Sequence, residues 1–214
     1  MNLIIDADWK WGLQEDNNKI GRNIDIDCGN WFDGLTIGKT IVYDLETLQH
    51  FGNKPIACRK NIVSCGFKDI PQEAKENCDY YSFMTRMHKH DDSFLTAFKV
   101  RPFTNLKTST SKATTTLITV NKVDDIPDVA NFITSSDFNI FICGGVALYE
   151  KFLPLCDKVY ICVHDYTIRD EDKIECPFQI FRNKDWQEDR IYAQGYDKEG
   201  RHYEVILFNK RKDE

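Results

Sequence analysis

The chain has 214 residues, of which 28 are Lys or Arg and 34 are Asp or Glu, so its formal net charge is −6. A chain of this length buries a sizeable core without disulfides or metal ions to hold it. The acidic balance argues against nucleic acid as the main partner, because phosphate binding requires a basic surface. No apolar run reaches the roughly 18 residues of a membrane span, and no targeting segment is evident. We therefore expect a cytoplasmic protein with no membrane contact.

Short apolar runs predict seven strands, taken in chain order. The runs are continuous rather than alternating and rich in β-branched and aromatic residues, which is typical of strands covered on both faces of a mainly parallel sheet. They occupy residues 3–5, 40–43, 61–64, 116–120, 139–143, 159–163 and 203–208.

Helices are predicted between these strands. Residues 125–133 carry Pro127 near a first turn, and residues 146–155 begin directly after Gly144 and Gly145. The alternation of strands and helices predicts an α/β sandwich with a mostly parallel central sheet and helices on both faces. The turn at residues 196–200 predicts that the last strand pairs antiparallel in a hairpin.

Residues 66–113 break this alternation. The segment is polar and charged at first, then mixed, and ends in a stretch rich in Thr, Ser and Lys. We interpret it as an insertion with loops or a hairpin, because long loops in compact domains usually carry structure or function. The chain is thus predicted to form one domain over 1–214 with an insertion at about 66–113.

Eight cysteines are scattered among apolar residues and include no Cys-x-x-Cys pair. Disulfide frameworks are typical of short secreted chains, so these side chains are predicted to be mostly reduced thiols. No metal site is expected. The His and Asp residues of 88–92 are adjacent on a polar segment, and such runs rarely enclose an ion.

Six segments in chain order resemble dihydrofolate reductase. They are residues 2–8 with 11–13, 31–43, 47–52, 59–63 (RKNIV), 141–161 and 202–207, and the most specific is FICGGVALYEKFLP at 141–154. The resemblance covers about 1–65 and 114–211. It implies that family's sandwich with eight strands, and the reduction of 7,8-dihydrofolate to tetrahydrofolate with NADPH.

This reaction requires a buried acid, because the pterin must be clamped and protonated beside the carbon that accepts hydride. Counting back from Trp31 and Phe32 places Cys28 at the family's acid position, whereas counting forward from the first loop places Asp27 there. A shift of one residue turns a helical side chain by about 100°. We favour Asp27, with Cys28 or Asp6 as alternatives. Asp25 and Asp27 also suit helix caps, and that interpretation stays open.

The resemblance implies a set of substrate-binding side chains. Phe32 would stack on the middle ring of folate, Arg59 would bind the glutamate carboxylate in a forked pair, and Cys162 replaces a Thr that bridges acid and pterin. Phe32 and Phe51 also suit plain core packing. The predicted substrate set is Ile5, Asp6, Phe32, Phe51, Arg59, Cys143, Tyr149 and Cys162.

A Gly pair between a strand and a helix lets backbone amides approach a phosphate. The resemblance implies that the Gly144–Gly145 bond is cis and touches the cofactor. Against this, Asp44 and Glu46 stand where the family usually has basic residues for the cofactor phosphates, and like charges repel. The predicted NADPH-binding set is Ala7, Leu13, Thr47, Gly144, Gly145, Val146, Ala147 and Leu148.

The differences from the family's sequence pattern cluster at its ligand positions, and three interpretations fit them. The first is a working NADPH-dependent reductase with an altered pocket that antifolates inhibit poorly. The second is a protein of the same fold that has lost catalysis and binds a ligand or another protein. The third is a related reductase of the riboflavin pathway. The expected partner is a small folate substrate, on a monomer or simple homo-oligomer.

Overall fold

The computed structural model describes residues 1–8, 12–14, 30–66, 68–76, 78–87, 93–101, 115–134, 136–165, 173–175, 185–197 and 200–211. The chain divides into two compact units, one made of Met1–Leu35 with Phe141–Glu214 and the other of Thr36–Ile140. The predicted organisation as a single domain with an insertion stays a prediction.

Strands and short helices alternate along the chain. The strands are β1 (Asn2–Asp8), β2 (Gly12–Gln14), β3 (Thr40–Asp44), β4 (Lys60–Ser64), β5 (Asp79–Met87), β6 (Ser93–Arg101), β7 (Thr116–Val120), β8 (Ile140–Ile142), β9 (Lys158–His164), β10 (Lys173–Glu175), β11 (Trp186–Tyr196) and β12 (His202–Lys210). The helices are α1 (Trp31–Thr36), α2 (Leu45–His50), α3 (Ile126–Ile133) and α4 (Val146–Phe152).

The first unit is built around β1, of which every residue is buried. β1 pairs in parallel with β8 on one side and with β9 on the other. β12 then pairs antiparallel with both β9 and β11, so the order is β11-β12-β9-β1-β8. The predicted antiparallel hairpin at the C-terminus is therefore confirmed. A separate short ladder joins β2 to β10.

The second unit has the strand order β3-β4-β7-β5-β6. The pairs β3–β4, β4–β7 and β5–β7 are parallel, and only β5–β6 is antiparallel. α3 packs on β4 through one face, where Ile126, Val129 and Ala130 are buried.

The segment interpreted as an insertion does contain a hairpin, β5 with β6. This hairpin is more than a surface addition, because β5 pairs in parallel with β7 and extends the sheet of the second unit. Tyr80 and Ser82 of β5 are buried there. Among the described residues, five strands pair in each unit, which makes ten strands in all. The resemblance implies eight.

All seven predicted strands are present, with ends that differ by a few residues. The helix predicted over 146–155 ends at Phe152 and continues as a single 3-10 turn around Pro154, because proline cannot extend the helical hydrogen-bond ladder. Cys58, Cys65, Cys78, Cys143, Cys156 and Cys162 are free thiols as predicted, and Cys28 and Cys176 lie outside the described residues. In the part of the chain that is described, no helix has the length and apolar character to cross a membrane.

Candidate functional site

Three chemically active side chains meet inside the first unit. Asp6 of β1 and Cys162 of β9 are register partners in a parallel pair, so their side chains stand beside each other on one face. His164 follows two residues after Cys162 and therefore projects from the same face. All three are buried, with 4% exposure for Asp6 and none for the other two.

One ring nitrogen of His164 faces both of the other groups. His164 Nε2 lies 2.9 Å from Asp6 Oδ1 and 3.4 Å from Cys162 Sγ. A neutral imidazole nitrogen either donates or accepts a hydrogen bond, so it cannot take the thiol proton while it donates to the carboxylate. A nucleophile–base–carboxylate relay needs two different ring nitrogens. The geometry therefore does not activate Cys162 as a nucleophile.

The other predicted ligand residues of β1 point away from this cluster. Ile5 and Ala7 are buried, but strand alternation sends their side chains to the face opposite Asp6. The predicted substrate pair of Ile5 and Asp6 is thus divided between two faces. Cys143 is buried at the end of β8, where its Sγ donates to the carbonyl of Phe141 at 3.5 Å.

The Gly144–Gly145 connection links β8 to α4. Gly145 has φ +86°, a conformation that favours glycine, and its carbonyl accepts hydrogen bonds from the amides of Leu148 and Tyr149 at 3.0 Å each. The described backbone contains no cis peptide bond, so the expected cis Gly–Gly bond is wrong. The positive φ at Gly145 makes the turn into the helix instead.

The remaining predicted cofactor residues of this connection differ in exposure. Val146 is half-buried and Ala147 is exposed, whereas Leu148 is buried with Tyr149 on the inner side of α4. Leu13 lies in β2, with Ile174 of β10 as its register partner. Gly144 and Gly145 are buried as well, so Val146 and Ala147 are the residues of this connection that reach the surface.

In the second unit, Arg59 is buried and held at two points. Its Nε donates to Thr36 Oγ1 at 2.9 Å, and its Nη1 donates to the Ala57 carbonyl at 2.7 Å. With 4% exposure, it is not the solvated surface arginine that a polar turn would suggest. The two bonds fix the plane of the guanidinium, which is the condition for forked binding of a carboxylate.

Asp44 caps the first turn of α2. Its Oδ1 accepts the backbone N–H of Thr47 at 2.8 Å, and the Thr47 side chain is nearly buried. A carboxylate at the start of a helix is stabilised by the helix dipole. The sequence predicted that Asp44 would repel a cofactor phosphate. In the structure its carboxylate also accepts the Thr47 N–H, which is the backbone donor that a phosphate would use.

Phe32 and Phe51 pack in aromatic pairs. Phe32 is buried, with its ring edge-to-face against Trp31 at 6.1 Å. Phe51 is half-buried, and its ring meets that of Tyr43 edge-to-face at 5.9 Å. These contacts agree with core packing, and the predicted folate contacts stay predictions.

The predicted acid Asp27 and its alternative Cys28 lie outside the described residues, as do residues 88–92. Sequence reasoning missed His164. The available signal was the Cys162-Val163-His164 spacing within a predicted strand, which places Cys and His on one face. Its link to Asp6 depends on strand pairing between residues 158 positions apart, which local sequence does not show.

This fold has a counterpart among solved structures. The chain is similar to a solved dihydrofolate reductase from Enterococcus faecalis complexed with NADP(H) and RAB-propyl. The TM-score is 0.58 and the sequence identity 14%, and the match covers 99% of this chain and 96% of the other. No family model matches the sequence, nor does any curated protein. The likeness shows a dihydrofolate-reductase-like fold.

Proposed function

We propose that the protein reduces 7,8-dihydrofolate to tetrahydrofolate with NADPH as hydride donor. The observation that carries the proposal is the connection from β8 through Gly144 and Gly145 into α4. It combines a buried glycine at positive φ with a first helical turn in which Val146 is half-buried and Ala147 is exposed. In the resembled family this connection touches the cofactor, and here it lies within a fold that is similar over nearly the whole chain.

The residues present fit a dinucleotide in one place and not in another. Backbone amides near Gly145 and Val146 suit a phosphate, because no bulky side chain precedes them and no side chain caps this helix among the described residues. At α2 the Asp44 carboxylate already accepts the Thr47 amide. We therefore assign cofactor binding to Gly144–Leu148 and expect no 2′-phosphate contact at Thr47.

Arg59 supports the folate part of the proposal. A buried guanidinium with a fixed plane suits the α-carboxylate of a glutamate tail. Asp27 is proposed as the acid that clamps and polarises the pterin, since a thiol is a weak hydrogen-bonding group in that role.

The test is to mix tag-free protein with NADPH and dihydrofolate and to follow the loss of NADPH absorbance. We expect turnover that is lost in Asp27→Asn and survives in Cys28→Ser. Loss of turnover in Cys28→Ser, or in Asp6→Asn alone, would identify that residue as the acid in place of Asp27. Wild-type protein without turnover, and without a thermal shift on adding NADPH, would overturn the proposal.

A second function is a binding protein that has the fold but no catalysis. Asp44 favours it, because a carboxylate at the start of α2 opposes a cofactor phosphate there. A thermal shift with folate but none with NADPH would identify this case. Turnover of a pyrimidine of the riboflavin pathway in place of folate would identify the related reductase.

A further inference from the structure

We propose that Asp6, Cys162 and His164 form a binding site for one zinc ion. A carboxylate oxygen, a thiol sulfur and a ring nitrogen lie within 4.8 Å of one another, and all three side chains are buried. The site is a property of β1 and β9 within one unit, and its test measures zinc binding and does not depend on the proposed reductase function.

The backbone fixes two sides of this site. β1 and β9 pair without irregularity from Asn2 to Asp8, and the Asp6–Cys162 register brings two donors together across the pair. The Cys162–His164 spacing brings the third donor to the same face of β9. On its other edge, β9 pairs with β12 from Tyr203 to Asn209, which includes the partners of Cys162 and His164.

The distances agree with tetrahedral zinc. Bonds of about 2.3 Å to sulfur and about 2.0 Å to nitrogen place these two ligand atoms about 3.5 Å apart at a tetrahedral angle. The Cys162 Sγ–His164 Nε2 distance is 3.4 Å. The 2.9 Å between His164 Nε2 and Asp6 Oδ1 is a hydrogen-bond distance, and a small rotation of the Asp6 side chain opens it.

The donor set selects the metal. Thiolate and imidazole together favour zinc over magnesium or calcium, which prefer oxygen ligands only. A thiolate and a carboxylate also balance the two charges of Zn²⁺, so the occupied site buries no net charge. Three protein ligands leave the fourth tetrahedral position for water, as in zinc sites that keep an open position.

The alternative is a metal-free polar cluster inside the core. In such a cluster each buried polar atom should have a hydrogen-bond partner. Asp6 Oδ2 is buried, yet it accepts no hydrogen bond from the described residues. In addition, His164 Nε2 lies within hydrogen-bond distance of both Asp6 Oδ1 and Cys162 Sγ, so a single proton is shared among the three groups. One metal ion replaces the shared proton and uses a lone pair from each donor.

The test uses tag-free protein, stripped with a chelator, desalted and loaded with zinc chloride. We expect one zinc per chain by mass spectrometry of the metal content. In competition with a chromophoric chelator, Cys162→Ser and Asp6→Asn should raise the Kd at least about 100-fold and about 10-fold respectively. The matched control is Cys156→Ser, another buried thiol of the same unit, which should leave the Kd unchanged.

A second readout uses the wild-type chain alone, so it does not depend on variants that fold. Addition of cobalt chloride should give a thiolate-to-metal charge-transfer band together with the visible bands of tetrahedral Co²⁺. Zinc should also raise the Tm of the wild type and not that of Cys162→Ser. Three results would overturn the proposal. They are less than a tenth of an equivalent of bound zinc per chain, an affinity for zinc in Cys162→Ser equal to that of the wild type, and a cobalt spectrum without thiolate ligation.

Discussion

Asn61 is fully buried in β4, and each polar atom of its side chain has a hydrogen-bond partner. Its Oδ1 accepts from the Tyr43 hydroxyl and the Ile56 amide at 2.8 Å each, and its Nδ2 donates to the carbonyls of Ile56 and Arg59. This side chain ties the turn before β4 to the sheet and so positions Arg59. The RKNIV motif predicted the strand, but the role of Asn61 follows only from contacts that the fold creates.

Arg59→Lys should weaken dihydrofolate binding. Lysine cannot reproduce the planar fork or both bonds to Thr36 and Ala57, so we expect the KM for dihydrofolate to rise roughly 10- to 100-fold with little change in kcat. Steady-state kinetics measure this, with the exposed Lys54→Gln as control. An unchanged KM would show that Arg59 has a purely structural task.

The thiol of Cys156 makes stability depend on alkaline pH. Burial raises its pKa from the ordinary 9.0 to about 12. Between these values the unfolded chain loses a proton that the folded chain keeps, so the free energy of unfolding falls as pH rises. Below pH 9 this stabilisation is fully present.

Urea unfolding at several pH values between 9 and 12 measures this effect. We expect Cys156→Ala to reduce the downward slope by about 1.4 kcal/mol per pH unit in that window, because one titrating thiol is removed. Its stability relative to wild type should not vary between pH 7 and 8. An identical alkaline slope in both proteins would contradict the assignment.

At the scale of elements, β1 shows where local sequence reasoning stops. The apolar residues 3–5 predicted the strand, and the predicted strand stopped before Asp6. Instead the strand continues to Asp8 with both carboxylates buried. Burial of Asp6 is possible because His164 supplies a partner from β9, and the sequence alone does not reveal this pairing.

Under the proposed function, the negative charge at the start of α2 should disfavour bound NADPH. Asp44→Asn should keep the cap on Thr47, since asparagine also caps helices well, while it removes the negative charge. We expect the KM for NADPH to fall several-fold at low ionic strength and the effect to shrink with added salt. Glu188→Gln, an exposed change on β11, is the charge-matched control. An equal fall in the control would assign the effect to net charge alone.

At the scale of the whole molecule, the positions of seven strands along the chain were predictable and the extent of the sheets was not. Continuous apolar runs and the motifs at 59–63 and 141–154 predicted seven strands and the fold class. The segment 66–113 has no comparable signal, because β5 is stabilised by pairing with β7, and β6 by pairing with β5, rather than by a local pattern. The candidate site was predicted less well. Cys162 and Asp6 were named for separate roles, and His164 was not named.

The net charge of −6 argues against nucleic acid as a main partner, but the positions of the charges are more informative than their sum. One of the acids caps α2, and another is buried beside an imidazole. Neither acid therefore acts as a freely solvated surface charge. A dihydrofolate-reductase-like fold is thus combined with acids that the resemblance does not predict at these positions.

The central claim is that this fold transfers hydride from NADPH to dihydrofolate. The most direct measurement uses NADPH carrying deuterium at the transferable position, incubated with tag-free protein and dihydrofolate, with the product analysed by mass spectrometry. The account predicts tetrahydrofolate that contains one deuterium, and no such product with Asp27→Asn. Unlabelled dihydrofolate recovered intact beside unconsumed NADPH would contradict it.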